Sequence, residues 1–191
     1  MAPRNGFIRL LFATAALLHL AVACGSAQRG DLPAVSATTY RLDTNDTVRI
    51  TVFGQEELTD QYTVDSAGTI AMPLIGAVEA RSRSETELER TIAAKLSQGF
   101  LRDPSVSVEV VEYRPFYILG EVRSPGQYPY RPGMTVQSAV AVGGGYTYRA
   151  RKDEVLVARR RADGSGVVEA AVDPVTEISP GDVITIRERL F

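Results

Sequence analysis

Few side chains in this sequence could do chemistry unaided, and their positions say more than their number. The single histidine, His19, and the single cysteine, Cys24, both fall at the start of the 191 residues. Residues 1–23 read as a removable leader, so the processed chain would keep no histidine and would begin at its only cysteine. That excludes a Ser-His-Asp triad, a Cys-His dyad, an intrachain disulfide and any zinc site built from His or Cys. Carboxylates, lysines, tyrosines and hydroxyls remain. Asp65, Glu79, Glu109 and Glu121 are acid–base candidates by type alone, because no spacing pairs them across a cleft as glycoside hydrolysis requires. The sequence therefore predicts no catalytic residue, no metal ligand and no cofactor.

Binding residues are easier to nominate. Six of the eight tyrosines lie between 113 and 148, with Tyr128/Tyr130 and Tyr146/Tyr148 at i, i+2, so each pair shares a face if its segment is extended. Their rings and hydroxyls could meet sugars, although tyrosine is equally a strand and interface residue. A basic cluster, Arg149, Arg151, Lys152 and Arg159-Arg160-Arg161, could face an acidic polymer or a subunit, or simply line a solvated hairpin stem. Nucleic acid is not an expected partner, because 21 Lys+Arg against 23 Asp+Glu leaves a net charge of -2. Gly143-Gly144-Gly145 follows a helix pattern and lacks a Gly-Lys-Ser/Thr run, so it reads as a helix C-terminus and turn, not a phosphate loop.

The leader carries Arg4 and Arg9 before an apolar run, Leu10 to Val22. A helix of that length spans roughly 20 Å, short of a hydrocarbon core of about 30 Å. Ala21-Val22-Ala23-Cys24 suits an ordinary secretory cut, and also resembles a lipobox with Ala21 where Leu is usual. An unpaired terminal thiol would oxidise, and acylation removes that liability while adding an anchor. Cys24 is thus the expected lipidation site; Gly25 and Ser26 after it, with no Asp beside it, resemble the start of lipoproteins passed to the outer membrane, which implies its periplasmic face, while a plain secretory cut implies the periplasm. Loss of the two leader arginines leaves 19 Lys+Arg against 23 Asp+Glu.

The rest of the chain must position these residues. Residues 24–39 read as a tether, with structure from Tyr40. Val48, Ile50 and Val52 alternate with Arg49 and Thr51, a half-buried strand closed by Gly54. A second strand ends near Val64, Asp65-Ser66-Ala67-Gly68 turns the chain, and Thr69–Met72 is a third strand stopped by Pro73. Ser84-x-x-Glu87 is a capping box opening a helix with Leu88, Ile92 and Leu96 on one side and Gly99 as its C-cap. After Pro104, Val106, Val108 and Val110 face inward from a strand. Pro115 to Gly120 reads as a strand buried on both faces, followed by a Ser124-Pro125-Gly126 turn and a Tyr128–Tyr130 edge. A helix spans 136–142 with Thr135 as N-cap; 155–158 and 167–170 flank a hairpin turn at 163–166; Val183–Ile186 is the last strand. The expected class is α+β: two small strand-rich domains, each with a packed helix. Asp46 and Asp182 stand alike, each in a turn before a short apolar strand, either as a repeat or as ordinary turn chemistry.

In order along the chain, these motifs resemble the bacterial polysaccharide export family. Tyr40-Arg-Leu42, Asp46, Ile50-Thr-Val52-Phe-Gly54, Asp65, Gly68, Pro73-Leu-Ile-Gly76 and Pro104 are similar to its export-sequence domain, placed at 40–112. Gly120, Pro125-Gly126, Gly143-Gly144 and Gly181-Asp182 are similar to the soluble-ligand-binding domain that follows, a β-grasp fold placed at 113–191. The resemblance implies a non-catalytic lipoprotein that forms a homo-oligomeric ring and passes capsular or exopolysaccharide outward. It also implies an inner-membrane polysaccharide co-polymerase as partner. Longer relatives add a pore helix, so this chain is expected to be a short form that uses a separate outer-membrane pore protein. Competing expectations are a monomeric periplasmic oligosaccharide-binding protein and a carboxylate glycosidase.

Overall fold

The computed structural model describes Leu32, residues 40–161 and residues 165–189. The leader, Cys24 and most of the proposed tether lie outside the described residues, as does part of the hairpin turn at 163–166. Among the described residues, ten strands and two α-helices form an α+β fold around two hydrophobic clusters.

The first unit is built on β1 (Thr47–Val52), which pairs antiparallel with β2 (Asp60–Thr63) on one side and β5 (Val106–Glu112) on the other. The alternation seen in the sequence sends Val48, Ile50 and Val52 into the core, all but fully buried. A second hairpin, β3 (Thr69–Met72) with β4 (Gly76–Glu79), closes over them. The β4 strand escapes sequence reading because Val78 is its only buried residue. Helix α1 (Glu85–Leu96) has the expected reciprocal capping box between Ser84 and Glu87, and it buries Leu88, Ile92 and Leu96. Burying three such side chains contributes about 1.5–3 kcal/mol each, against about 1 kcal/mol for the cap, so packing fixes the helix and the cap fixes its start. Its C-cap is Ser97, not Gly99. Gly99 instead takes the positive φ of the turn that follows, in which the Phe100 and Leu101 N–H groups return to the Leu96 carbonyl.

The second unit is a five-stranded mixed sheet in the order β7-β6-β10-β8-β9, with β6 (Phe116–Gly120) and β10 (Val183–Ile186) parallel at its centre. β7 is Gly126–Tyr128, and β8 (Val155–Arg160) and β9 (Val167–Val172) form the hairpin. Helix α2 (Val136–Val142), capped by Thr135 and Ser138, lays Val136, Ala139 and Val140 on one face of this sheet. The arrangement is β-grasp-like, one helix held by a sheet with a parallel central pair. Since α2 covers one face only, β6 is not buried on both sides as its composition suggested. Phe116 and Ile118 point into the core, while Tyr117 and Leu119 are exposed on the open face. Gly120 ends β6 at φ 84, and a Cβ there would meet the Ile186 carbonyl oxygen at 2.1 Å. Only glycine lets the two parallel strands close at that point. Leu32, in the stretch read as a tether, is half-buried against this second cluster.

Candidate functional site: two aspartate hubs and a tyrosine–arginine end

Asp46 and Asp182 are fully buried carboxylates, and each sits at the mouth of a strand. The backbone N–H of Asp43 donates to Asp46 Oδ2 at 2.8 Å, and that of Ser179 donates to Asp182 Oδ2 at 2.7 Å. Both aspartates also donate their own N–H three residues back, to Asp43 and Ser179 respectively. The echo noted in sequence is therefore a shared β-turn whose last residue, the aspartate, reaches back to the N–H of the first. A buried carboxylate needs charge compensation as well, and each has an arginine. Arg159 approaches Asp182 through Nε at 3.0 Å and a terminal nitrogen at 2.7 Å. Arg114 donates its backbone N–H to Asp46 Oδ1 at 2.8 Å and its guanidinium to Oδ2 at 3.3 Å.

Arg114 stands in the connector between the two units, so Asp46 is a clasp. The Tyr40 hydroxyl donates to Asp46 at 2.6 Å and accepts from Arg114 at 2.8 Å. Burial pushes the Tyr40 phenol far above its ordinary range; Arg114 opposes this and Asp46 adds to it. Tyr40 meets Tyr113 edge-on at 5.0 Å between ring centroids, and Tyr113 meets Tyr130 at 5.6 Å. This chain of three rings runs from the first cluster through the connector to the second. Gly181, at φ 82, leaves room for the connector: a Cβ would lie 2.8 Å from Arg114 Nε. The Pro180-Gly181-Asp182 turn thus serves both hubs.

The nominated contact residues separate. Tyr128, Tyr130 and Tyr146 are half-buried against the second cluster, and Tyr128 donates to the Ser124 carbonyl at 2.5 Å. Tyr148 lies in a turn and is 81% exposed, so it does not share a face with Tyr146. Arg149 is bound to Glu188, and Arg151 reaches Asp153 and Glu154. Arg159 is not part of a solvated stem. It is buried because it continues the inward series Val155, Val157, a period-two signal that could have identified it.

The remaining motif residues shape turns. Asp65 accepts the Thr69 backbone N–H and hydroxyl, each at 2.8 Å; these bonds hold its carboxyl below the usual range. Gly68 closes that turn, Pro73 and Gly76 bracket the β3–β4 turn, and Pro104 precedes β5. Pro125 and Gly126 lead into β7, and Gly143 and Gly144 end α2. Of the other carboxylates named by type, Glu79 pairs with Arg83, Glu109 with Arg49, and Glu121 accepts from the Thr147 hydroxyl.

Comparison with known proteins agrees with this two-unit construction. Residues 34–111 match the family described as polysaccharide biosynthesis/export protein, and residues 115–169 match the SLBB domain. The exopolysaccharide production protein ExoF of Rhizobium meliloti is 38% identical over 121 residues, covering 57% of this chain and 29% of ExoF. The EPS I polysaccharide export outer membrane protein EpsA of Ralstonia nicotianae is 23% identical over 185 residues, 80% of this chain and 48% of EpsA. The polysialic acid transport protein KpsD of Escherichia coli is 25% identical over 91 residues, 47% of this chain and 16% of KpsD. The chain thus spans at most about half the length of these relatives. With the two matched stretches meeting at the Arg114 connector, the chain belongs to the polysaccharide biosynthesis/export protein family.

Proposed function

We propose that the chain is a non-catalytic component of a channel that carries capsular or exopolysaccharide across the periplasm and outer membrane. The observation that carries this reading is the joint match to an export domain and an SLBB domain, with relatives named for exopolysaccharide production and export. The clasp supports it further. A conduit subunit must hold its two domains, 40–112 and 113–191 in this reading, at a fixed angle, and Asp46, Arg114 and the tyrosine chain tie them at the connector. On this account the protein is a lipoprotein anchored through Cys24, assembles as a homo-oligomeric ring, and works with an inner-membrane co-polymerase and an outer-membrane pore protein. Transport is passive, driven by polymer growth behind the ring.

Gene deletion tests the reading. The expected result is polysaccharide retained in the cell and lost from the surface; normal surface polysaccharide with no redundant homologue would overturn it. Cys24→Ser tests the anchor on its own, and unchanged membrane fractionation would count against acylation.

A further inference from the structure

One end of the second unit places arginines where strand physics disfavours them. Residues 149–151 run antiparallel to 187–189, with Ala150 opposite Glu188. Hydrogen bonds from Arg151 N to the Arg187 carbonyl and from Arg189 N to the Arg149 carbonyl, both 2.8 Å, fix the register. Arg149 therefore stands across from Arg189, and Arg151 across from Arg187. Directly opposed like charges destabilise a strand pair, so packing gives no reason for this array. Glu188 compensates Arg149, and Asp153 and Glu154 compensate Arg151. Arg187 and Arg189 are exposed and have no acidic partner among the described residues.

Two further observations bear on what this end meets. Tyr148, with 81% of its surface free, immediately precedes the array. The charge is also divided along the chain: residues 40–112 carry 7 Lys+Arg and 13 Asp+Glu, whereas residues 113–191 carry 11 and 9. A cation-rich end on an otherwise acidic protein concentrates anions locally. Guanidinium groups match planar carboxylates bidentately, and a free aromatic face beside them accepts the C–H face of a sugar ring.

We propose that Tyr148, Arg149, Arg151, Arg187 and Arg189 form a binding site for an acidic polysaccharide, its carboxylate-bearing sugars held by the arginines and a ring stacked on Tyr148. This rests on the export reading and deepens it, naming the class of polymer the chain handles.

The full-length protein in detergent micelles is tested by affinity electrophoresis against polygalacturonate and, as a neutral control, dextran of matched length. Binding to polygalacturonate alone, weakening as salt rises, is the expected result. Arg187→Gln with Arg189→Gln should weaken it by about tenfold or more, the loss of charge-assisted hydrogen bonds. The same variant should keep or raise the thermal midpoint, because it removes cross-strand repulsion; Tyr148→Ala should weaken binding without lowering the midpoint. Equal retention by dextran, an unaffected double variant, or tighter binding to phosphatidylglycerol vesicles than to polygalacturonate would each overturn the proposal. Gene deletion separates the two claims. A strain that exports normally without the chain defeats the export reading and this ligand assignment with it. A strain that needs the chain, combined with a chain that ignores polygalacturonate, defeats only the proposal made here.

Discussion

Asp46 and Asp182 occupy the same turn and solve the same problem, yet they serve different ends. Asp182 takes its arginine from β8 of its own sheet, and both side chains are buried to within 8% exposure, so this pair is internal to the second unit. Asp46 takes its arginine from the connector, where the Arg114 side chain is 22% exposed, and adds the Tyr40 hydroxyl. The same local chemistry is a core brace in one place and a clasp between units in the other. The difference follows from where along the chain the arginine lies: 23 residues from Asp182, 68 from Asp46.

Breaking the two pairs should therefore give unequal and different results. Arg159→Ala leaves the Asp182 carboxylate buried with little beyond the Ser179 N–H, and should cost about 3–5 kcal/mol. Urea unfolding followed by tyrosine fluorescence reads this as a large fall in midpoint of the second unit. Arg114→Ala is the milder change, because Asp46 keeps Tyr40, the Asp43 N–H and the backbone N–H at 114. About 1–2 kcal/mol is expected, together with a split of one unfolding transition into two as the units uncouple. A single transition in that variant, or a greater loss than in Arg159→Ala, would contradict the distinction.

Gly181→Ala probes the point where the hubs meet. A side chain at φ 82 costs about 1 kcal/mol, and its Cβ must displace Arg114. The effect should be sub-additive with Arg114→Ala, since removing the guanidinium relieves the clash; full additivity would detach Gly181 from the clasp.

The smallest effect is in the alkaline range. The folded chain holds the Tyr40 proton more tightly than the unfolded chain does, chiefly through burial. Its contribution is whole below the unfolded value of about 10 and is lost as pH rises above it. The midpoint should fall between about pH 10 and 11.5, and less steeply in Tyr40→Phe. Parallel slopes in the two proteins would place the loss elsewhere.

Local signals made much of the fold legible. The Ser84–Glu87 capping box, the Thr135 N-cap, the Leu88-Ile92-Leu96 stripe and the alternation in β1 and β10 were visible because each is written within a few residues. β4 was not, having one buried side chain, and β6 was misjudged because apolar composition does not reveal that α2 covers one face of its sheet and leaves the other open. The aspartate turns were legible as an echo, while their arginines were hidden by sequence distance and, for Arg159, by company with Arg160 and Arg161. Tyr146 and Tyr148 part because residues 147–150 turn, which an i, i+2 spacing alone does not disclose.

The measurement closest to the central claim is a pulse-chase of labelled sugar in a strain lacking the gene, with and without the gene restored. The account predicts labelled polymer accumulating inside the deletion strain and reaching the medium only when the chain is present. Equal release from both strains, with no second family member in the genome, would contradict it.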